Sequence, residues 1–140
     1  MPKIKLQDTE YFYREQDVLA FDEGLIGLPD LRRAVLVKLP DFEPFSWLAA
    51  IDNPDKRFLV VNPREIFADY HAQIPAEINL HLESNAQPLD IFSIVKISSD
   101  WTKTTINLRA PIFVNLQMGS AAQAVLTNSN YRLDEPLPQI

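Results

Sequence analysis

Short runs of β-forming residues follow one another along this chain with few residues between them. The runs lie at positions 4–7, 11–13, 18–21, 34–39, 45–51, 58–62, 91–97, 104–108, 112–116 and 121–126. The turns between them are made mainly by proline, since the chain has 11 prolines and only 3 glycines. Many short strands separated by proline-containing turns are typical of a β-sandwich or β-barrel. The sequence therefore predicts a mainly β fold, a compact, antiparallel, β-barrel-like single domain that spans residues 1–140.

Two of the runs are apolar on both faces. In the run 91–97, Phe92 and Ile94 face one way, and the opposite face carries Ile91, Ser93, Val95 and Ile97. The run 35–39 has the same character. A strand with two apolar faces is expected to be packed on both sides.

Turns and helices can also be placed. Residues 52–55 and 117–120 predict turns between neighbouring strands, and Gly24 and Gly27 suggest backbone torsions that favour glycine. One or two short helices are expected. The first begins with Asn62 as its cap and ends near residue 70, and the second runs from residue 75 toward residue 82 with Ile78 and Leu82 on one face.

Several kinds of chemistry have no support in the residues. Cysteine is absent, which excludes disulfides and cysteine-based zinc sites, and two histidines, His71 and His81, are too few for a recognisable metal cluster. There is no phosphate-binding glycine loop and no Gly-x-Ser-x-Gly nucleophile motif. We therefore expect no enzyme activity, no cofactor and no metal.

The charge distribution argues against direct binding of nucleic acid. The formal net charge is −6, and the 13 basic residues are scattered, whereas phosphate binding needs clustered Lys and Arg. Acidic residues gather in two stretches, 15–31 and 65–95, that contain no Lys or Arg. An acidic surface is usually a solvated one, but it is also compatible with a basic partner. The chain has no apolar run long enough to span a bilayer, and we expect a soluble, cytoplasmic protein.

Residues 110–131 contain no charged side chain. Uncharged β-hairpins occur either buried between sheets or at interfaces depleted in charge. Burial is the favoured interpretation. If the edge of this segment is exposed, strand addition by a partner becomes possible.

Several blocks along most of the chain form a specific pattern in their order and spacing. In residues 18–28 a phenylalanine is followed, after two residues, by Gly-Leu, one further residue and glycine. The other blocks are residues 58–63, 69–70 and 107–112, with Asn115 behind them, and the tail at 123–126, 129–131 and 136–137. Together these blocks resemble the FliW family of flagellar assembly factors. Ile106 and Ile26 depart from the family's frequent Ala and Pro.

This resemblance implies an antiparallel, barrel-like domain without catalysis. FliW proteins bind CsrA, a small basic homodimer that blocks translation of flagellin mRNA, and they also bind flagellin near its C-terminal helical segment. When flagellin is secreted, free FliW captures CsrA and translation resumes. The resemblance therefore implies two protein partners, CsrA and flagellin, with no direct nucleic-acid contact and no membrane.

The partner-binding residues are predicted in three places: the 62–63 corner, the 69–70 pair and the 107–111 stretch. For Asn62 and Pro63 a structural role as a helix start is the favoured alternative. Tyr70 and Arg109 are expected to be interface anchors, because Tyr and Arg are frequent in protein contacts. Four residues are assigned to the core: Phe58, Val60, Ile112 and Val114. The full predicted set is Asn62, Pro63, Asp69, Tyr70, Asn107, Leu108, Arg109 and Pro111.

Two other functions stay open from the residues alone. A ligand-binding β-barrel would hold a small molecule at its mouth, but the strands offer few convergent polar side chains. An RNA-binding barrel would need basic grooves with exposed aromatic residues. Trp47 and Trp101 are present, but local basic charge is not.

Overall fold

The structure, a computed structural model, describes residues 2–83 and 88–138. Within these ranges the strands are Lys3–Leu6 (β1), Thr9–Phe12 (β2), Leu19–Phe21 (β3), Arg33–Lys38 (β4), Ser46–Ala50 (β5), Arg57–Val61 (β6), Asp90–Lys96 (β7), Thr105–Ile106 (β8), Ile112–Asn115 (β9), Ser120–Gln123 (β10) and Glu135–Pro136 (β11). One α-helix, Ala76–His81 (α1), is accompanied by 3₁₀ turns at Glu15–Asp17, Pro40–Phe42, Pro63–Glu65 and Trp101–Lys103.

Seven strands close into a barrel, in the order β3, β4, β5, β6, β7, β9, β10 and back to β3. The predicted mainly β, barrel-like fold is therefore confirmed. All pairings in the ring are antiparallel except that of β3 with β10, where Ala20 lies opposite Ser120 and Phe21 opposite Ala121. The second half of β7 pairs with β8 instead of β9, and β11 extends the sheet beyond β8.

The interior of the barrel is filled by side chains from every strand of the ring. They form one apolar cluster in which Phe21, Val60 and Val114 are at most 1% exposed. The other members from the strands are Leu19, Ala34, Leu36, Leu48, Ala50, Phe58, Phe92, Ile94, Ile112 and Ala121. Of the four predicted core residues, Val60, Ile112 and Val114 are buried in this cluster, and Phe58 is half-buried and packs against it. Within the described ranges, the packed interior leaves the barrel without an open lumen.

The outer face of the barrel is covered in two places. The β1–β2 hairpin lays Ile4 and Leu6 against Val35, Val37 and Ala49 of β4 and β5. A larger cluster joins the outer face of β6, β7 and β9 to α1 and to the C-terminal segment, with Leu59, Ile78, Leu82, Ile91, Val95, Phe113, Leu126 and Leu137 among its members. These covers explain why both faces of β4 and β7 are apolar, as predicted. Ile97 differs from the prediction, because it follows the end of β7 and is half exposed.

Each predicted β run overlaps an observed strand, although some ends differ. The run 104–108 shortens to β8 because the chain turns at Asn107. In the run 121–126 the strand ends at Gln123, yet pairing continues beyond it, since the N–H groups of Ala124 and Leu126 donate to the carbonyls of Pro111 and Arg109. Strand β11 was not predicted, because its two residues carry no apolar pattern.

The second predicted helix is confirmed, whereas the first is corrected in both type and length. The segment after residue 75 forms α1, with Ile78 and Leu82 buried on one face. The segment after Asn62 forms a single 3₁₀ turn, and the Asn62 side chain accepts the Arg64 N–H at 3.0 Å, as a cap does. Among the described residues, no helix is long and apolar enough to cross a membrane.

Two buried hydroxyls on this scaffold differ in their hydrogen bonding. Ser93 in β7 is fully buried, and its hydroxyl has no hydrogen-bond partner among the described residues. Thr104 is equally buried, but its hydroxyl oxygen accepts the Ser98 N–H at 3.2 Å. An unsatisfied buried polar group costs free energy, whereas a satisfied one contributes to stability.

Ser93→Ala is therefore expected to leave the free energy of unfolding unchanged or to raise it. Thr104→Val, which keeps the side-chain shape, is expected to lower it by about 1 kcal/mol. Urea unfolding of both variants measures the contrast. A loss on Ser93→Ala as large as that on Thr104→Val would mean that the Ser93 hydroxyl has a partner in solution.

Candidate protein-binding site

An apolar groove lies at the end of the barrel where β3 and β10 finish and β6 and β9 begin. Its volume is about 380 Å³. Side chains of the barrel interior and of the loop after β3 form its floor, namely Leu25, Leu28, Phe58 and Ile94. Its sides and edges are formed by Ile26, Asn107, Arg109, Ala110, Gln123, Val125 and Leu133. We call this feature the barrel-end groove.

Among the described residues, Arg109 is the single charged side chain that lines the barrel-end groove. Its position is fixed by a tight turn, in which the side-chain oxygen of Asn107 accepts the N–H groups of Arg109 at 3.1 Å and of Ala110 at 2.9 Å. Such side-chain turns are typical of Asn. Within the described ranges, no carboxylate forms an ion pair with the Arg109 guanidinium.

Ile26 stands at the opposite edge of the groove and is 59% exposed. Its loop is held by paired hydrogen bonds between Leu25 and Leu28, and by positive φ angles of 67° at Gly24 and 83° at Gly27. The Ile26 N–H donates to the Gln123 side-chain oxygen at 2.9 Å. The amide nitrogen of that Gln123 side chain donates to the carbonyl of Ala110, also at 2.9 Å. One carboxamide therefore joins the two sides of the groove.

The 107–111 stretch is anchored from behind by Tyr70. The Tyr70 hydroxyl donates to the Leu108 carbonyl at 2.9 Å, and its ring packs on Tyr131 with centroids 4.6 Å apart. The Leu108 N–H donates to the Arg132 carbonyl at 3.0 Å. Burial, and secondarily the neighbouring Tyr131, raise the pKa of Tyr70 well above its usual value, so its hydroxyl stays protonated and keeps donating at neutral pH.

The structure brings the 69–70 pair and the 107–111 stretch together, with the 62–63 corner linked to Tyr70 through Arg64, whose Nε donates to the Tyr70 carbonyl at 3.4 Å. Surface for a partner remains at exposed Asp69 and at half-buried Asn62, Asn107 and Arg109. Tyr70, which was predicted to be an interface anchor, is only 4% exposed, so little of its side chain is available to a partner. Three further residues of the predicted set are buried as well: Pro63, Leu108 and Pro111. Their role in partner binding stays a prediction.

Three exposed residues of the groove, Ile26, Val125 and Leu133, were missed by the sequence reasoning. A signal existed for Ile26, since two glycines flank an apolar pair there. Val125 lies in the charge-free segment 110–131, in which the strand β9 is buried, as favoured, but Leu116, Met118 and Val125 are exposed. Leu133 is a lone leucine among polar residues and gives no signal.

The described residues contain no group of three or more His, Asp or Glu side chains that could hold a metal ion.

The loop that presents Ile26 can be tested by comparing its two glycines. A Cβ at Gly24 would lie 2.5 Å from the Leu28 carbonyl oxygen, whereas a Cβ at Gly27 would meet no atom within 4 Å. Gly27→Ala is expected to cost about 1–2 kcal/mol through backbone strain alone. Gly24→Ala is expected to cost a further ~1–3 kcal/mol because the loop must open. Equal losses in chemical unfolding would contradict this geometry.

Removing the Tyr70 hydroxyl tests its hydrogen bond to the Leu108 carbonyl. Tyr70→Phe is expected to lower the free energy of unfolding by about 1–3 kcal/mol, since the buried Leu108 carbonyl loses its donor. Because the pKa of Tyr70 is raised in the fold, this contribution is complete below pH ~10, the pKa of an unfolded tyrosine, and is lost as pH rises through the higher folded value. Urea unfolding across this range measures the difference between the two proteins. A difference that grows above pH ~10 would contradict the assignment.

Comparison with known proteins assigns the chain to a family. Residues 5–137 match the family model described as "FliW protein". A flagellar assembly factor FliW of Clostridium beijerinckii is 31% identical over 132 residues, which cover 91% of this chain and 92% of the relative. One from Bdellovibrio bacteriovorus is 38% identical over 125 residues, which cover 89% of this chain and 71% of the relative. A crystal structure of the flagellar assembly factor FliW superposes with a TM-score of 0.88 at 26% identity, over 99% of both chains. The chain therefore belongs to the FliW family of flagellar assembly factors.

Proposed function

We propose that this protein is a non-enzymatic regulator that binds CsrA and flagellin in turn. The observation that carries the proposal is the family match over residues 5–137. Flagellin occupies the protein while subunits accumulate. When flagellin is exported, the free protein captures CsrA in the cytoplasm, and translation of flagellin mRNA is released.

The charge of the chain supports the CsrA half of this proposal. The net charge is −6, and the acidic side chains of the two acidic stretches are exposed except for half-buried Asp17. A basic partner is attracted by such a surface. An acidic protein docked beside an RNA site would also repel phosphate, and this repulsion fades over about 8–10 Å at physiological salt.

The alternative function, a barrel that binds a small ligand, has weaker support. The interior of the barrel is filled by apolar side chains from all seven strands of the ring, which leave no ligand chamber among the described residues. The barrel-end groove stays outside that interior, and its edges are exposed apolar side chains that a small ligand would leave uncovered.

Calorimetric titration of the purified protein with the cognate CsrA tests the proposal, first alone and then after saturation with flagellin. We expect binding of CsrA that flagellin abolishes or weakens. Binding of CsrA is also expected to weaken at higher salt, because exposed charges are screened.

Two outcomes would contradict the proposal. If neither partner binds although each is folded, the partner assignment is wrong. If both bind but neither affects the other, binding stands and the exchange between partners is wrong. A separate measurement of CsrA binding to RNA at full occupancy tests the electrostatic part, which is wrong if inhibition is equal at low and high salt.

A further inference from the structure

We propose that the barrel-end groove is the docking site for an apolar peptide segment that carries a carboxylate, and that this carboxylate pairs with the Arg109 guanidinium. The inference rests on the proposed function and assigns the groove to flagellin, the partner other than CsrA.

The exposure of the groove's edges indicates a macromolecular occupant. Ile26 is 59% exposed, Leu133 59% and Val125 42%, and all three line the same groove. Single exposed apolar residues are normal on soluble proteins, but several around one apolar groove mark an interaction site. A small molecule on the floor would leave these edges in water, whereas a peptide segment lying across the groove would cover them.

The exposed position of Ile26 is built into the backbone. The paired hydrogen bonds between Leu25 and Leu28 close its loop at 3.0 and 2.8 Å, and Gln123 holds the Ile26 N–H from the other side. The groove is therefore shaped before a partner arrives. Preorganisation of this kind lowers the entropic cost of binding.

The charge of the groove selects the chemistry of the occupant. The chain has 19 acidic and 13 basic residues, yet in the part of the chain that the structure describes the groove is lined by no acidic side chain and by one arginine. Arg109 is half-buried, and within the described residues no carboxylate pairs with it. A guanidinium in apolar surroundings is best satisfied by a carboxylate, which it binds with two parallel hydrogen bonds. A basic protein such as CsrA would meet a like charge there.

Titration of flagellin into variants of the intact protein tests this assignment. Arg109→Glu is expected to weaken flagellin binding roughly tenfold or more, which corresponds to at least ~1.4 kcal/mol. Arg109→Lys keeps the charge but loses the two-pronged geometry, and should fall between wild type and Arg109→Glu. Leu133→Asp places a carboxylate on the edge without touching the core and should also weaken binding.

The matched control is Lys5→Glu, which makes the same charge reversal on the β1–β2 hairpin, away from the residues that line the groove. It should bind flagellin as wild type does. CsrA binding should be equal or tighter for Arg109→Glu than for wild type. Thermal unfolding of each variant confirms that it is folded.

The outcomes separate the two proposals. If wild type binds flagellin and Arg109→Glu and Leu133→Asp bind it equally well, the groove assignment is overturned while the proposed function stands. If wild type does not bind flagellin, the flagellin part of the proposed function is wrong. The groove is then tested with two leucine-rich helical peptides, one that carries a single glutamate and a variant in which that glutamate is replaced by lysine. Equal binding of the two peptides, or tighter binding of the lysine peptide, overturns the assignment. A dimeric wild type that becomes monomeric on Arg109→Glu would instead place a second copy in the groove and overturn it.

Discussion

Closure of the barrel through the parallel pairing of β3 with β10 is the constraint on which the other features depend. The pairing is short and relies on small residues, since Ala20 lies opposite Ser120, and the Gly119 carbonyl accepts the Ala20 N–H at 2.8 Å. Gly119 has a φ of 67°, and a Cβ there would lie 3.0 Å from the Val18 carbonyl oxygen. Parallel strands finish at the same end of a sheet. Closure therefore brings the loop after β3 and the end of β10 together, and the barrel-end groove is the space between them.

Several residues that carry the family resemblance stabilise the fold through hydrogen bonds between their side chains and the backbone. Asn107 organises the turn before β9, Tyr70 holds that turn from behind, and Asn62 caps a 3₁₀ turn. Each satisfies backbone groups that would otherwise be buried without partners. The Asn107 turn, held from behind by Tyr70, fixes the backbone from which the Arg109 side chain enters the groove. A motif can thus be prominent in the sequence because it organises the backbone around a site.

Much of the fold could be predicted from the sequence because local patterns determine it. The alternation in residues 91–97 indicated a strand packed on both sides, and the Asn62–Pro63 pair indicated a capped turn at the position where one occurs. Barrel closure could not be predicted, because no local pattern indicates the parallel pairing of β3 with β10, whose residues lie about a hundred positions apart. The same limit applies to the site. Arg109 was predicted to meet a partner from its residue type alone, and this stays a prediction. The burial of Tyr70 and the convergence of Ile26, Val125 and Leu133 depend on contacts between segments far apart in the chain, which no local pattern shows.

The floor of the barrel-end groove belongs to two parts of the molecule at once. Phe58 and Ile94 pack into the interior cluster and also line the groove, whereas Ile26 and Leu133 are exposed at its edge. A substitution at the floor therefore changes the stability of the fold as well as the shape of the groove. A substitution at the exposed edge changes the surface of the groove and leaves the core packing intact.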